Sequence, residues 1–378
     1  MHALRDERAV CPGSAAPKIL RPTATPEAIA SVMPSRSFSV SVTTPPPAVT
    51  MGIGLAWTTS TIVYVKMVEH YLHEYGGYSP DPLTFLAAVA ARTQSIRLMT
   101  GGIQASFHHP VQIAAQAAQV DVLSHGRLDV GFARAFLPYE FDTFGVPMEG
   151  SRQRYRETVE AVLRLWTEKG VSESSEFFQY SGVNSLPSVV QTPHPPTWAA
   201  GLMSPETFSW AGDRGLNLLM ASPPRAAELP KARENVELYT SCFQEAARET
   251  GGSPRVAMSI PLMIGETDTD AVDRALPRLR AHWQVFGEAA ESLLHTHSSD
   301  YAKYPQIVKS IKEMTDDDLI ETAIVGSPET VTERIVEFRR ALSVDTFLWH
   351  IDYGGQAFND MAGNLRRFRE QVLPRLPE

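Results

Sequence analysis

Cysteine is scarce in this sequence, since Cys11 and Cys242 are the only two in 378 residues. A disulfide framework and a zinc site built from thiolates are therefore excluded. Long apolar runs are also missing: stretches such as 86–91 reach less than half of the roughly 18 residues that a membrane-spanning helix needs. Positive charge is in deficit, with 34 Lys and Arg against 43 Asp and Glu, and the net charge of −9 argues against a nucleic-acid or anionic-membrane partner. We therefore expect a soluble, cytoplasmic protein, built as one large α/β barrel or as two ordinary domains.

The first 36 residues differ in composition from the rest of the chain. They contain five prolines and no apolar periodicity, and no uninterrupted apolar core of the kind a secretory signal requires. We expect residues 1–36 to form a disordered extension, which an upstream translation start would explain, and residues 37–378 to form a single domain.

From residue 38 onward, short β-branched runs alternate with longer helical patterns. The candidate strands are residues 38–42, 62–65, 96–100, 128–132, 197–200, 216–220, 256–264 and 346–351. Strands that alternate with helices predict a parallel sheet, and eight such units predict a (β/α)₈ barrel of the TIM type. A doubly wound open sheet is the alternative, but no Gly-x-Gly-x-x-Gly turn supports it.

Two regions depart from this regular alternation. Residues 43–61 hold three prolines and no amphipathic helix, so either the first helix is degenerate or this part of the sequence is damaged. Residues 265–326 form a long insertion between strand 7 and helix 7, with predicted helices at 269–286 and 306–314. Long insertions in barrels often serve as lids or substrate walls, so we expect this insertion to act in one of these ways.

Active sites of barrels lie at the carboxyl ends of the strands, where this sequence offers polar residues and glycines. Ser204 precedes a proline that starts a helix, and the free backbone amides at such a helix start can bind an anion. We expect Arg134 to contact the same anion. An ordinary helix cap is the alternative for Ser204, because Ser327 begins the same tetrapeptide. Neighbouring His108 and His109 point to different sides, and without a His-x-x-x-His pair we expect no metal site.

Several motifs, in order along the chain, resemble those of the bacterial luciferase-like, flavin-dependent oxidoreductases. They are residues 68–71 with 78–82, 100–102, 109–111, 126–134 with 139–145, 204–206, 213–215 and 325–331. The block 126–134, Gly-Arg-Leu-Asp-Val-Gly-Phe-Ala-Arg, is the most specific of them. The resemblance covers roughly residues 62–375 of the printed sequence.

This resemblance implies a flavin site at the carboxyl ends of the barrel strands and a monooxygenase activity. FMN would arrive reduced from a separate flavin reductase, as a co-substrate, and react with O₂ through a C4a-peroxyflavin to oxygenate a small organic substrate. Two alternatives remain open: an F420-dependent dehydrogenase or reductase on the same barrel, and a non-catalytic flavin-binding relative.

The resemblance also assigns roles to individual residues. His70 matches the active-site histidine of the family. Gly101 and Gly102 match a position beside the flavin ring where the family often has a non-prolyl cis peptide bond. Arg134 and Ser204 match residues that bind the flavin phosphate.

Further matches are less direct. Arg152 and Tyr155 lie in a helix that often contacts the cofactor, although a solvated helix face is nearly as good an interpretation. Ala133 replaces a reactive cysteine of bacterial luciferase, which makes light emission an unsafe inference. Met203 replaces an acid next to the phosphate-binding serine.

Alanine is frequent in the helical patterns 82–93 and 110–123. In the family that this sequence resembles, the corresponding helices form a dimer interface, so we expect a homodimer. Tight packing of these helices onto the barrel is the alternative.

Overall fold

The computed structural model describes residues 53–56, 63–76, 78–202, 204–350 and 356–377. The expected extension 1–36, the candidate strand 38–42 and most of the irregular region 43–61 lie outside the described residues, as does Met203.

Eleven strands occur in the described ranges. They are β1 (Ile53–Ala56), β2 (Val63–Met67), β3 (Arg97–Gln104), β4 (Leu128–Ala133), β5 (Val171–Ser174), β6 (Gln179–Val183), β7 (Thr197–Gly201), β8 (Asn217–Met220), β9 (Val256–Ile264), β10 (Ile324–Gly326) and β11 (Thr346–His350). The main sheet has the order β10-β9-β11-β1-β2-β3-β4-β7-β8, and β8 also pairs with β9. Eight strands therefore close into a barrel, which confirms the predicted fold class.

One barrel strand does not run as expected. β1 is antiparallel to both of its neighbours, with Leu55 opposite Phe347 and Gly54 opposite Tyr64. The sequence analysis did not predict β1, which lies in the irregular region 43–61, and the expectation that the barrel strands are all parallel is wrong at this strand. The physical reason is the short connection 57–62, because a return to a parallel neighbour needs a crossover of about a dozen residues or more.

Helices cover the outside of the barrel. They are α1 (Pro82–Arg92), α2 (Pro110–Leu123), α3 (Pro138–Phe144), α4 (Ser151–Thr167), α5 (Pro205–Asp213), α6 (Leu229–Thr250), α7 (Asp268–Ala289), α8 (Tyr304–Lys312), α9 (Asp316–Glu321), α10 (Pro328–Leu342) and α11 (Phe358–Arg367). Their starts follow the sequence: Asp81 accepts a hydrogen bond of 3.0 Å from the amide of Thr84, and Pro82 occupies the first helical position. None of the described helices is both long enough and apolar enough to cross a membrane.

The insertion between β9 and α10 contains α7, α8 and α9. It also contains β10, which is parallel to β9 with Val325 opposite Met263. The sequence analysis did not anticipate this strand, because three residues are too short for a recognisable pattern. It also missed the hairpin of β5 and β6.

The barrel interior is layered. A fully buried apolar layer contains Tyr64, Met99, Trp198, Leu219, Ala257 and Leu348. Below it, towards the amino ends of the strands, Asp129 accepts hydrogen bonds from Arg97 (2.8 Å) and from the indole of Trp198 (3.0 Å). Above it, towards the carboxyl ends of the strands, Lys66, Ser259 and His350 contact one another.

Candidate active site

His70 follows β2 at the carboxyl end of the barrel and is held by a carboxylate. Its Nδ1 atom lies 3.3 Å from Glu140 Oε1 and 3.3 Å from Gln104 Nε2. Glu140 is fully buried and also accepts a hydrogen bond of 2.8 Å from the amide of Tyr71. Because Nδ1 is engaged, Nε2 is the ring nitrogen left for a ligand, and no described residue hydrogen-bonds to it. The pair is therefore arranged to hold or move a proton.

A second buried carboxylate, Glu69, stabilises the loops around His70. It accepts hydrogen bonds from the amide of Gln104 (2.7 Å), from His108 Nε2 (2.6 Å) and from the hydroxyl of Tyr71. Burial acts to lower the pKa of His108, but the hydrogen bond and charge of Glu69 outweigh it and raise the pKa. His109 instead accepts a hydrogen bond from the amide of Val111 at the start of α2, so the adjacent histidines do point to different partners.

Gly101 and Gly102 form an irregular point where β3 meets β4. The register shifts between Gly101 and Ile103, and Gly102 has φ +142°. A side chain at Gly102 would place its Cβ 2.6 Å from that of Ala133, so only glycine fits. The described residues have cis peptide bonds only before Pro187 and Pro193, so the cis bond expected at Gly101–Gly102 is not found.

Arg134, predicted to bind the flavin phosphate, and Arg152, predicted to contact the cofactor, converge on one anionic group of the protein itself. Arg134 donates a hydrogen bond of 3.2 Å to the carbonyl of Asp300, and its guanidinium lies 3.7 Å from the Asp300 carboxylate and 4.2 Å from the centre of the Tyr301 ring. Arg152 lies 3.3 Å from the same carboxylate. Asp300 belongs to a short helical turn, Ser299–Tyr301, in the insertion. The insertion therefore places a carboxylate between the two arginines.

Ser204 lies beside this cluster and does not act as an ordinary helix cap. Its hydroxyl donates a hydrogen bond of 2.6 Å to Glu206, whereas Ser327, in the same tetrapeptide, accepts one from the amide of the residue three positions later. The hydrogen bond from Ser204 lowers the pKa of Glu206, and the nearby charges of Arg152 and Lys303 lower it further. Ser204 therefore occupies the N-cap position without a side-chain cap hydrogen bond, and it lies close to positive charges.

Tyr155 is buried against Trp210, with ring centres 5.3 Å apart. Its hydroxyl has no hydrogen-bond partner among the described residues, although Arg156 and Arg134 are close enough for their charges to act on it. Burial raises the pKa of Tyr155, so the hydroxyl is available as a neutral donor. The structure thus brings Arg134, Arg152, Tyr155 and Ser204 to one region.

The insertion also forms a wall beside His70. Phe286 of α7 packs on Tyr75 and Phe136, with ring centres 5.0 and 5.9 Å apart. Both of these residues contact His70. His282, one turn earlier on α7, lies near Tyr75, and burial lowers its pKa to about 4. Aromatic side chains therefore cover the candidate catalytic histidine.

Sequence reasoning missed several residues that shape the site. They are Lys66, Gln104, Glu140, Arg156, Ser259, Asp300 and His350. Their partners are remote in sequence, and Asp300, for example, is 166 residues from Arg134. Residues 294–304, between the two predicted helices of the insertion, form a polar stretch in the sequence, and this was the one signal that pointed towards Asp300. No group of three or more His, Cys, Asp or Glu in the described part of the chain is arranged to hold a metal ion.

The fold and the site together define a barrel enzyme in which a histidine–carboxylate pair and a cluster of cations share the carboxyl end. A family model described as luciferase-like monooxygenase matches residues 60–346. This chain therefore belongs to the luciferase-like monooxygenases, and the expectation of an oxidoreductase of the flavin monooxygenase type is confirmed at that level.

Individual relatives agree with this assignment. The oxygenase component of the flavin-dependent trigonelline monooxygenase of Acinetobacter baylyi is 27% identical over 323 residues, which cover 82% of this chain and 84% of that protein. The crystal structure of the monooxygenase RslO1 from Streptomyces bottropensis is 34% identical, with a TM-score of 0.67, and the match covers 82% of this chain and 88% of that one. An F420-dependent glucose-6-phosphate dehydrogenase of Amycolatopsis mediterranei is 26% identical, over 82% of this chain and 89% of that protein.

Proposed function

We propose that this protein accepts reduced FMN from a separate flavin reductase and uses it with O₂ to oxygenate a small organic substrate. The observation that supports this most directly is the convergence of Arg134 and Arg152 on a single anionic group at the end of the barrel that holds His70. Two guanidinium groups that share one anion match the charge and geometry of a phosphate. The name of the trigonelline monooxygenase component supports the separate reductase.

The residues present fit an FMN phosphate. The Nη1 atom of Arg134 is buried and makes no hydrogen bond to the described residues, and the same is true of the Tyr155 hydroxyl. Such buried donors cost free energy until a ligand satisfies them. The phosphate would be held by Arg134, Arg152 and Ser204, and the Tyr155 hydroxyl would be a further hydrogen-bond donor. The small residues Gly101 and Gly102 would allow the flavin ring to approach strand β3.

The chain's own residues would support the chemistry in three ways. Reduced FMN, when bound, supplies the electrons with which O₂ is activated. His70, held by Glu140, would give or take a proton at Nε2. Tyr75, Phe136 and Phe286 would exclude water from the reacting centre, as a lid over an oxygen-sensitive cofactor must.

The homodimer also belongs to this proposal. Ala114, Ala117 and Ala118 of α2 are fully buried within the single chain, which favours the alternative that these helices pack closely on their own barrel. Val122 and Leu123, at the end of the same helix, are exposed and leave apolar surface for a second copy. Light scattering of the purified protein would distinguish a dimer from a monomer.

Anaerobic binding followed by rapid mixing with O₂ tests the proposed function. The protein should bind reduced FMN, and the bound cofactor should be reoxidised on a time course that differs from that of free reduced FMN and depends on substrate. Reoxidation identical to that in free solution would contradict the proposal. F420, suggested by the Amycolatopsis relative, is the second candidate, and tight binding of F420 without binding of FMN would establish it. Binding without substrate-dependent turnover would indicate a non-catalytic relative.

A further inference from the structure

Three polar side chains meet inside the barrel, on strands that are far apart in sequence. Lys66 of β2 is 2% exposed, donates a hydrogen bond to Ser259 of β9 and lies 3.3 Å from His350 Nε2 on β11. Ser259 Oγ is in turn 2.7 Å from His350 Nε2. The three side chains therefore form one hydrogen-bonded cluster above the apolar layer of the barrel.

Lys66, when protonated, is a buried cation without a negative partner among the described residues. No carboxylate among the described residues contacts Lys66, and the titratable groups near it, His350 and His282, are themselves basic. Burial lowers the pKa of Lys66 to about 7 and holds the pKa of His350 well below its usual value. The Nδ1 atom of His350 is buried and has no partner among the described residues. Buried cations in proteins are normally paired, so a protonated Lys66 still lacks a counter-charge within the described part of the chain.

Two contacts connect the cluster with the surroundings of His70. The aliphatic part of the Lys66 side chain packs over Gly101. A Cβ atom added at Gly101 would lie 3.0 Å from Lys66 Cδ and Cε. His282 of α7 connects the two parts, because its charge acts on His350 and its ring lies near Tyr75, which packs on His70. An anion bound to Lys66 would therefore lie beside Gly101, on the side of the barrel that holds His70.

We propose that Lys66, positioned by Ser259 and His350, binds the negative charge of the reduced flavin ring and so makes the protein select reduced over oxidised FMN. This inference rests on the proposed function. The reduced isoalloxazine ring is anionic at neutral pH, whereas the oxidised ring is uncharged, and a charge near the ring nitrogens alters their relative stability. A protein that receives its cofactor from a reductase benefits from this selectivity, because it releases the oxidised form.

The test compares the binding of the two redox forms of FMN. Lys66→Met keeps most of the side-chain stem and removes the charge, and Lys309→Met, on the exposed face of α8, is the matched control. We expect Lys66→Met to weaken the binding of reduced FMN at least tenfold and that of oxidised FMN less than twofold. A tenfold change in this ratio lowers the two-electron midpoint potential of bound FMN by about 30 mV, which spectroelectrochemistry measures independently of turnover. Lys309→Met should change neither value.

Several results would overturn the inference. Equal weakening of the binding of both redox forms would show that Lys66 only fills space. Unchanged binding of both forms would show that the flavin ring does not contact Lys66. Either result leaves the proposed function intact. Failure of the unmodified protein to bind either form would instead overturn the proposed function, and this inference with it. Lys66→Gln serves as a second variant if Lys66→Met does not fold.

Discussion

The carboxylate of Asp300 occupies the position between Arg134 and Arg152 where the proposed function places the FMN phosphate. The two anions cannot share that position, so phosphate binding must displace Asp300. Replacing Asp300 with Asn removes the charge and retains the size of the side chain. We therefore expect Asp300→Asn to bind FMN more tightly than the unmodified protein does.

The structure sets the size of this effect. The guanidinium–carboxylate separations are 3.7 and 3.3 Å, and at an effective dielectric constant of about 20 each such pair attracts by about 4.5–5 kcal/mol before desolvation. Desolvation and side-chain ordering offset most of this attraction. Because all three side chains are less than one-third exposed, about 1–2 kcal/mol remains, above the value for surface pairs. Since 1.4 kcal/mol corresponds to a factor of ten, we expect a gain in affinity of about 5-fold to 30-fold.

Equilibrium titration of flavin fluorescence provides the assay. FMN and riboflavin should be compared, because riboflavin lacks the phosphate and its affinity should not change. Asp316→Asn is the matched control, since Asp316 forms an exposed ion pair with Arg280 elsewhere in the insertion. Weaker FMN binding by Asp300→Asn would refute the reasoning and show that Asp300 orients the arginines. An equal gain for riboflavin would place the effect outside the phosphate site.

Three further changes have expected outcomes. Glu140→Gln should lower the turnover number about 100-fold or more, with the affinity for FMN unchanged, because His70 loses its carboxylate partner. Steady-state kinetics together with a flavin titration checks this. A loss confined to FMN binding would contradict it. Gly102→Ala should reduce the free energy of unfolding by about 2–4 kcal/mol, because the new side chain would have to adopt φ +142° and would clash with Ala133. Urea denaturation measures this change. An unchanged denaturation midpoint would show that the substitution causes no strain. Lys66 has a pKa of about 7 in the folded protein and a higher one in the unfolded chain. Its burial therefore reduces the free energy of unfolding by the full amount below pH 7, and this reduction becomes smaller as the pH rises towards 10. The stability difference between Lys66→Met and the unmodified protein should therefore shrink over that range, and a constant difference would contradict the assignment.

Much of the fold follows from local sequence pattern. Strand β9 has the bounds 256–264 that the apolar run indicates, and the serine– or aspartate–proline pairs begin α1, α5 and α10 as expected. These features depend on side-chain periodicity and on the fixed φ of proline, both of which act within a few residues. The order of such elements was enough to predict the barrel.

The direction of β1 could not be predicted in the same way. Its four residues carry no information on direction, and the six-residue connection to β2 decides it. Likewise, Ser204 and Ser327 begin identical tetrapeptides, yet only Ser327 caps its helix. The charges around Ser204 come from other elements and decide its role.

The sequence by itself determined the barrel, the helix starts and the individual residues His70, Arg134, Arg152, Tyr155 and Ser204 as candidates. Only the tertiary structure decided which groups they meet: Glu140 beside His70, and Asp300 between the arginines. The same holds for Lys66, whose partners lie 193 and 284 residues away. The physical reason is that burial and electrostatic pairing depend on distance in space, and barrel closure brings together strands whose separation in sequence carries no signal.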